Sequence, residues 1–176
     1  ALVRYKGETI VKTPMNYNLA IEIAKDIISV PNCEVLLSGE KTAYIMPKTE
    51  EYLIRMTKVV QYKTTIIKSL DEIQEDILKV SVCDLSGIAN SEKYFADKWS
   101  DKAAAAVSGD QYMDFMDLCV SKGDALKKVQ KIYGIDRSEC MAFGDNYNDC
   151  EMLKQAEFSY AMASAADDIK KNALYV

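Results

Sequence analysis

The chain is 176 residues long, enough for one large domain or two small ones around a substantial core. Apolar residues make up 49% and charged residues 28%; the net charge of −5, with no long basic run and no apolar stretch near bilayer length, argues against a nucleic-acid binder or a membrane protein. There is no histidine, which removes Ser-His-Asp and Cys-His catalysis, and the five scattered cysteines (Cys33, Cys83, Cys119, Cys140, Cys150) form no CxxC pair and read as reduced thiols of a cytoplasmic protein.

Residues 1–13 read as a hairpin turning at Gly7. After Pro14, the residues Leu19, Ala20, Ile23, Ala24, Ile27 and Ile28 recur at helical spacing until Pro31 stops the run. CEVLLSG and KTAYIMP read as strands around Gly39, and a helix over 49–60 is expected to carry Tyr52, Leu53, Met56, Val59 and Val60 on one side. SLDEIQEDILKVSVCDL predicts a short helix with an acidic first turn, leading into the strand LKVSVCD. A helix over 90–99 with Tyr94, Phe95 and Trp99 inward, then strands in AAAAVSG and QYMDFMDL, complete an α+β pattern.

From Ser121 helices and strands alternate regularly. SKGDALKKVQKIYGI is a helix ending at Gly134, and CMAF is an apolar run expected to be buried on both faces. A helix through Met152 and Leu153, the strand FSYAM, the helix AADDIKKNA and the strand start LYV follow. That alternation predicts an α/β, doubly wound parallel sheet, with a seam between about 112 and 121.

FGDNYNDCEML, directly after CMAF, gathers Asp145, Asn146, Asn148, Asp149 and Glu151. Ligands in open α/β sheets bind beyond the carboxyl ends of the strands, and Gly144 lets the backbone turn there. Asp145 at the strand end and Asp149 four residues on can face one crevice, and hard oxygen donors suit Mg²⁺. A calcium loop fails, because counting from Asp145 puts Cys150 where Gly is required and Ala156 where Glu is required. A helix start decorated with capping Asp and Asn is the alternative. Lys122, at a helix N-terminus where the dipole disfavours it, is either a solvated lysine or the partner of carboxylates or a phosphate.

In this order and spacing SKGDAL, MAFGDNYNDCEML and YAMASAADDIKKNA resemble the haloacid dehalogenase superfamily, specifically its Cof-type phosphatases. The resemblance implies a hairpin 1–14 belonging to the core, an α+β cap over 15–112, and the C-terminal half of a Rossmann-like core over 113–176. It implies that Lys122 neutralises the phosphate and a nucleophilic aspartate, that Asp145 coordinates Mg²⁺, that Asp149 is a direct or water-mediated metal partner, and that Asn148 helps bind phosphate. The implied reaction is hydrolysis of a small phosphorylated metabolite through an aspartyl-phosphate.

The family also needs an Asp-x-Asp motif and a following Ser/Thr motif, and no Asp-x-Asp triplet occurs in these residues. With Ala1 at the start and LYV at the end, the expectation is a piece of a longer phosphatase, inactive by itself, whose nucleophile precedes Ala1. The alternative is a non-catalytic ligand-binding or interaction module. Tyr44, Tyr52, Tyr62 and Trp99 are expected to pack rather than to recognise substrate, and Asp114 and Asp117 are left open between a binding role and a crossing between domains.

Overall fold

The computed structural model describes residues 2–60 and 63–176. They form two compact units, a continuous one of Thr13–Leu118 and a discontinuous one that joins the first twelve residues to Cys119–Val176. The discontinuous unit opens on the expected hairpin, β1 (Leu2–Tyr5) and β2 (Glu8–Lys12), with Lys6 and Gly7 at positive φ in its turn.

In the continuous unit, α1 (Tyr17–Ser29) starts where Asn16 accepts the amide of Leu19 and buries Ala20, Ile23, Ala24 and Ile27. Next come β3 (Cys33–Ser38), β4 (Ala43–Ile45), α2 (Glu50–Ile54), β5 (Thr64–Ile66), β6 (Lys79–Asp84), α3 (Glu92–Trp99), β7 (Ala104–Gly109) and β8 (Tyr112–Met116). The strands make one sheet in the order β5-β4-β3-β6-β8-β7, parallel only between β4 and β5. One face of the sheet carries Val35, Leu37, Val80, Val82, Met113 and Phe115 into a core with α1 and with Phe95 and Trp99 of α3. The other face is partly covered by Tyr52 and Met56, which pack on Leu36, Ala43, Ile45 and Cys83. The boundary at 112/113 expected from sequence falls inside β8, whose ladders to β6 and β7 keep it in this unit.

Three local expectations are corrected here. The helix over 49–60 stops at Ile54 and continues as a π-helical turn, Arg55–Val59, closed by the amide of Val60 on the carbonyl of Arg55. The wider turn breaks the expected stripe: Met56 is buried, but Val59 and Val60 face solvent. The acidic helix after Ser69 shrinks to a single 3-10 turn, Leu70–Glu72, with a Ser69/Glu72 capping box. Beyond it the chain is irregular up to β6: Ile73 and Ile77 enter the core, and Glu75 accepts the amides of Glu40 and Lys41 and the hydroxyl of Tyr44. In the 90–99 helix Phe95 and Trp99 point inward, whereas Tyr94 is exposed.

In the discontinuous unit, α4 (Lys122–Tyr133) ends at Gly134 in the left-handed conformation, as its sequence predicts. It leads to β9 (Met141–Gly144), α5 (Cys150–Gln155), β10 (Phe158–Ala161) and the short α6 (Asp167–Lys170). β9 and β10 are parallel, and Tyr175 bridges to Tyr160 in the same sense, so this unit has the α/β alternation read from its sequence. β9 is not buried on both faces among the described residues: Ala142 and Gly144 are inside, while Met141 and Phe143 lie on an open face where Phe143, Tyr160 and Tyr175 stack in a row.

Candidate active site

Lys122 and Asp149 meet in the discontinuous unit. Ser121 caps α4 by accepting the amide of Asp124, which leaves Lys122 as the first helical residue. Its Nζ donates to Asp149 Oδ1 at 2.5 Å. The other oxygen of Asp149, Oδ2, accepts the backbone amides of Asp145 at 3.1 Å and Asn146 at 3.2 Å, and closes a capping box over the 3-10 turn Tyr147–Asp149. Asp149 is only 4% exposed. Burial by itself pushes its carboxyl up; the ammonium of Lys122 and the two amides outweigh that and hold it below the usual carboxylate range.

Two glycines permit this geometry. A Cβ on Gly123 would sit 2.6 Å from Cβ of Glu151 and 2.7 Å from its carbonyl carbon, so the start of α4 lies directly against the first turn of α5. A Cβ on Gly144 would sit 2.5 Å from Cβ of Asp149. Gly144 does not need a left-handed backbone; it is the clearance that lets Asp149 fold back over the end of β9. Sequence reasoning gave Gly144 only a turn and gave Gly123 nothing. A glycine inside an expected helix, where alanine is the better former, was the available signal for Gly123.

The remaining members of the motif divide sharply. Asp145, at the carboxyl end of β9, and Asn148 are exposed, and their side chains make no hydrogen bond or ion pair among the described residues. Asn146, undecided from sequence, is a cap that accepts the amide of Tyr147 at 2.7 Å. Tyr147, which the sequence did not single out, donates its hydroxyl to Asp168 Oδ2 at 2.8 Å and so ties the loop to α6. Glu151 faces solvent.

The donors here are hard oxygens of the kind Mg²⁺ takes, and a Mg²⁺ site often uses only one or two protein carboxylates. Asp145 has both oxygens free, whereas those of Asp149 are engaged by three donors. No group of three or more His, Cys, Asp or Glu residues that could hold a metal is found among the described residues. The chain therefore offers one open ligand and one anchored acid, a partial set that suits an ion also held by water and substrate.

Of the aromatic residues considered for recognition, Tyr52 is fully buried, Tyr44 is bound to Glu75, and Trp99 donates to Asp26, so packing accounts for all three. Tyr62 lies outside the described residues. Asp114 is held inside the sheet by Ser81 and Lys79.

The sequence resemblance set Lys122 against a phosphate and a nucleophilic aspartate; within these residues its partner is Asp149. 5-Amino-6-(5-phospho-D-ribitylamino)uracil phosphatase YbjI of Escherichia coli is 25% identical over 172 residues, which cover 97% of this chain and 63% of that protein. This chain thus spans a little under two thirds of the length of that relative. A crystal structure from Eubacterium rectale superposes with a TM-score of 0.86 at 22% identity, covering 99% of this chain and 67% of that one. The HAD subclass IIB sugar phosphatase BT4131 superposes with a TM-score of 0.76 at 17% identity, covering 96% and 64%. Both structures share the fold across both units. A match to the whole of residues 1–176 completes the assignment: the chain belongs to the haloacid dehalogenase-like hydrolase family.

Proposed function

We propose that these residues supply the lysine and metal-ligand part of a Mg²⁺-dependent phosphatase site acting on a small phosphorylated metabolite, the class to which the substrate in the name of the E. coli relative belongs. The observation that carries this reading is the contrast within one motif: Lys122 is locked onto buried Asp149, while Asp145 and Asn148 beside it stay exposed and uncommitted. The ammonium of Lys122 would offset negative charge on the phosphoryl oxygens, and the amide of Asn148 would donate to one of them. Asp145 would hold Mg²⁺ directly, with Asp149 at one remove because its oxygens are already engaged. Bound there, the ion would neutralise charge on the transferring group and orient it. The aspartyl-phosphate route requires an aspartate nucleophile. These 176 residues contain no Asp-x-Asp triplet, so the chain by itself is expected to be inactive. In this reading the continuous unit is the cap, and the five scattered cysteines suit a cytoplasmic location.

The test is hydrolysis of a generic phosphomonoester by the natural protein that contains these residues, with and without Mg²⁺. Lys122→Ala and Asp145→Ala are each expected to lower kcat by roughly 10²–10³. Turnover that survives both EDTA and Asp145→Ala would refute the metal role. The alternative reading is a non-catalytic binding module; ligand binding without turnover in the natural protein would establish it.

A further inference from the structure

The loop between β9 and α5 carries the open ligands of the candidate site, and its side chains form hydrogen bonds outside the loop at two points among the described residues. One is Asp149 on Lys122. The other is Tyr147, whose hydroxyl donates at 2.8 Å to Asp168 Oδ2, 21 residues further along the chain. Tyr147 lies between Asp145 and Asn148 in sequence and is 66% exposed, so burial of its ring does not account for it. The bond to Asp168 is the one hydrogen bond its side chain makes among the described residues.

The acceptor is fixed independently of the tyrosine. Asp168 is in the first turn of α6, next to Ile169, whose buried side chain anchors that helix. Oδ1 of Asp168 accepts the amide of Ile169 at 3.0 Å and its carbonyl accepts Asn172 Nδ2 at 2.8 Å, which leaves Oδ2 for the loop. On the loop side, Tyr147 opens the single 3-10 turn Tyr147–Asp149, a form whose hydrogen bonds are poorer than those of an α-helix. The Lys122–Asp149 pair holds the end of that turn, and Tyr147 holds its start. Dipole stabilisation explains acidic residues at the start of α6, as with exposed Asp167 beside Lys170, but it does not explain a tyrosine directed at one of them.

We propose that Tyr147 is a positioning residue, a strap from the loop to α6 that fixes Asp145 and Asn148 in the geometry that binds Mg²⁺ and phosphate. The inference rests on the phosphatase reading for the identity of those ligands. Of the two acids in the motif, Asp149 has both oxygens engaged and Asp145 is the one left open. Affinity then depends on how little order the loop still has to gain when it binds. Tyr147 supplies that order in advance, through a bond that touches neither ligand.

The experiment compares Tyr147→Phe, Asp168→Ala and Asp168→Asn in the natural protein that contains these residues. Tyr147→Phe and Asp168→Ala are each expected to weaken Mg²⁺ binding, measured by calorimetry, about fivefold, the fold-change of one net hydrogen bond. The Mg²⁺ concentration for half-maximal phosphomonoester hydrolysis should rise by the same factor, with kcat at saturating Mg²⁺ within about twofold of the parent. Asp168→Asn keeps an oxygen that can accept from the tyrosine, so it should bind Mg²⁺ like the parent. A merely structural role would lower the unfolding midpoint and leave the Mg²⁺ affinity where it was. Without metal, amide hydrogen exchange over 145–149 is expected to speed up about fivefold in Tyr147→Phe, while exchange in α4 stays as in the parent. Exchange or Mg²⁺ affinity in Tyr147→Phe equal to the parent's would overturn the proposal. A parent that binds Mg²⁺ no better than its Asp145→Ala variant would sink the phosphatase reading, and the exchange rates would then decide the strap by themselves.

Discussion

Asp26 in the continuous unit and Asp149 in the discontinuous one look alike as isolated groups. Each is a shielded carboxylate with a lysine Nζ at 2.5 Å, and in each the donors overcome the upward push of burial and hold the acid below its usual range. Their surroundings differ. Asp26, on α1, collects three side chains of α3, namely Lys98, the hydroxyl of Tyr94 at 2.9 Å and the indole nitrogen of Trp99 at 2.8 Å. Every one of its bonds pins one packed helix to another. Asp149 collects one side chain and two amides of its own loop, and beside it stand an exposed carboxylate and an exposed amide without partners. A shielded, well-satisfied acid is therefore no mark of function by itself. What sets Asp149 apart is that the side chains of Asp145 and Asn148 beside it are exposed and uncommitted.

The strongest way to break the comparison is Asp26→Ala. It strips the indole N–H of Trp99 and the hydroxyl of Tyr94 of their acceptor and should cost about 3 kcal/mol in urea unfolding while leaving the amide resonances of 143–151 in place. Equal disturbance of both regions would show that the clamp is not local. Next in size is Gly123→Ala, whose new Cβ meets backbone of Glu151 and forces α4 away from α5. A loss of about 1–3 kcal/mol is expected, against less than about 0.5 for Gly109→Ala, which has nothing within 4 Å of its added Cβ. Similar losses for the two would remove the close approach as the reason for Gly123.

The smallest effect is the pH dependence. Because Asp149 is depressed from its ordinary value of 3.8, the unfolded chain takes up its proton first as pH falls. The stabilisation from its partners is thus fully present well above pH 4 and is lost as pH drops through the folded value. Asp149→Asn should flatten the part of the acid limb of the stability curve that this group contributes. An acid limb unchanged by that substitution would mean the acid is not held by its partners.

Much of the fold was legible because it depends on neighbours in sequence. The stripe of α1 is local information, as are the stop at Gly134 and the alternation after Ser121. Misreadings came where distant contacts overrode propensity. Glu75 was drawn out of an expected helix by the amides of Glu40 and Lys41, and Val59 and Val60 left the buried stripe when α2 widened into a π turn. The candidate site was legible in membership but not in roles. Asp145, Asn148, Asp149 and Lys122 stand out by residue type and spacing, yet only the tertiary structure shows which acid is engaged.

The sequence alone therefore determined the family motifs, the hard-oxygen character of the donor set, the absence of imidazole chemistry and the order of most elements. These follow from residue identity and short-range periodicity. The tertiary structure decided that Gly123 and Gly144 act as clearances, that Asp149 anchors while Asp145 stays open, and that Tyr147 reaches Asp168 of α6. Those facts depend on how elements pack and on distances between groups far apart along the chain, which no local pattern encodes.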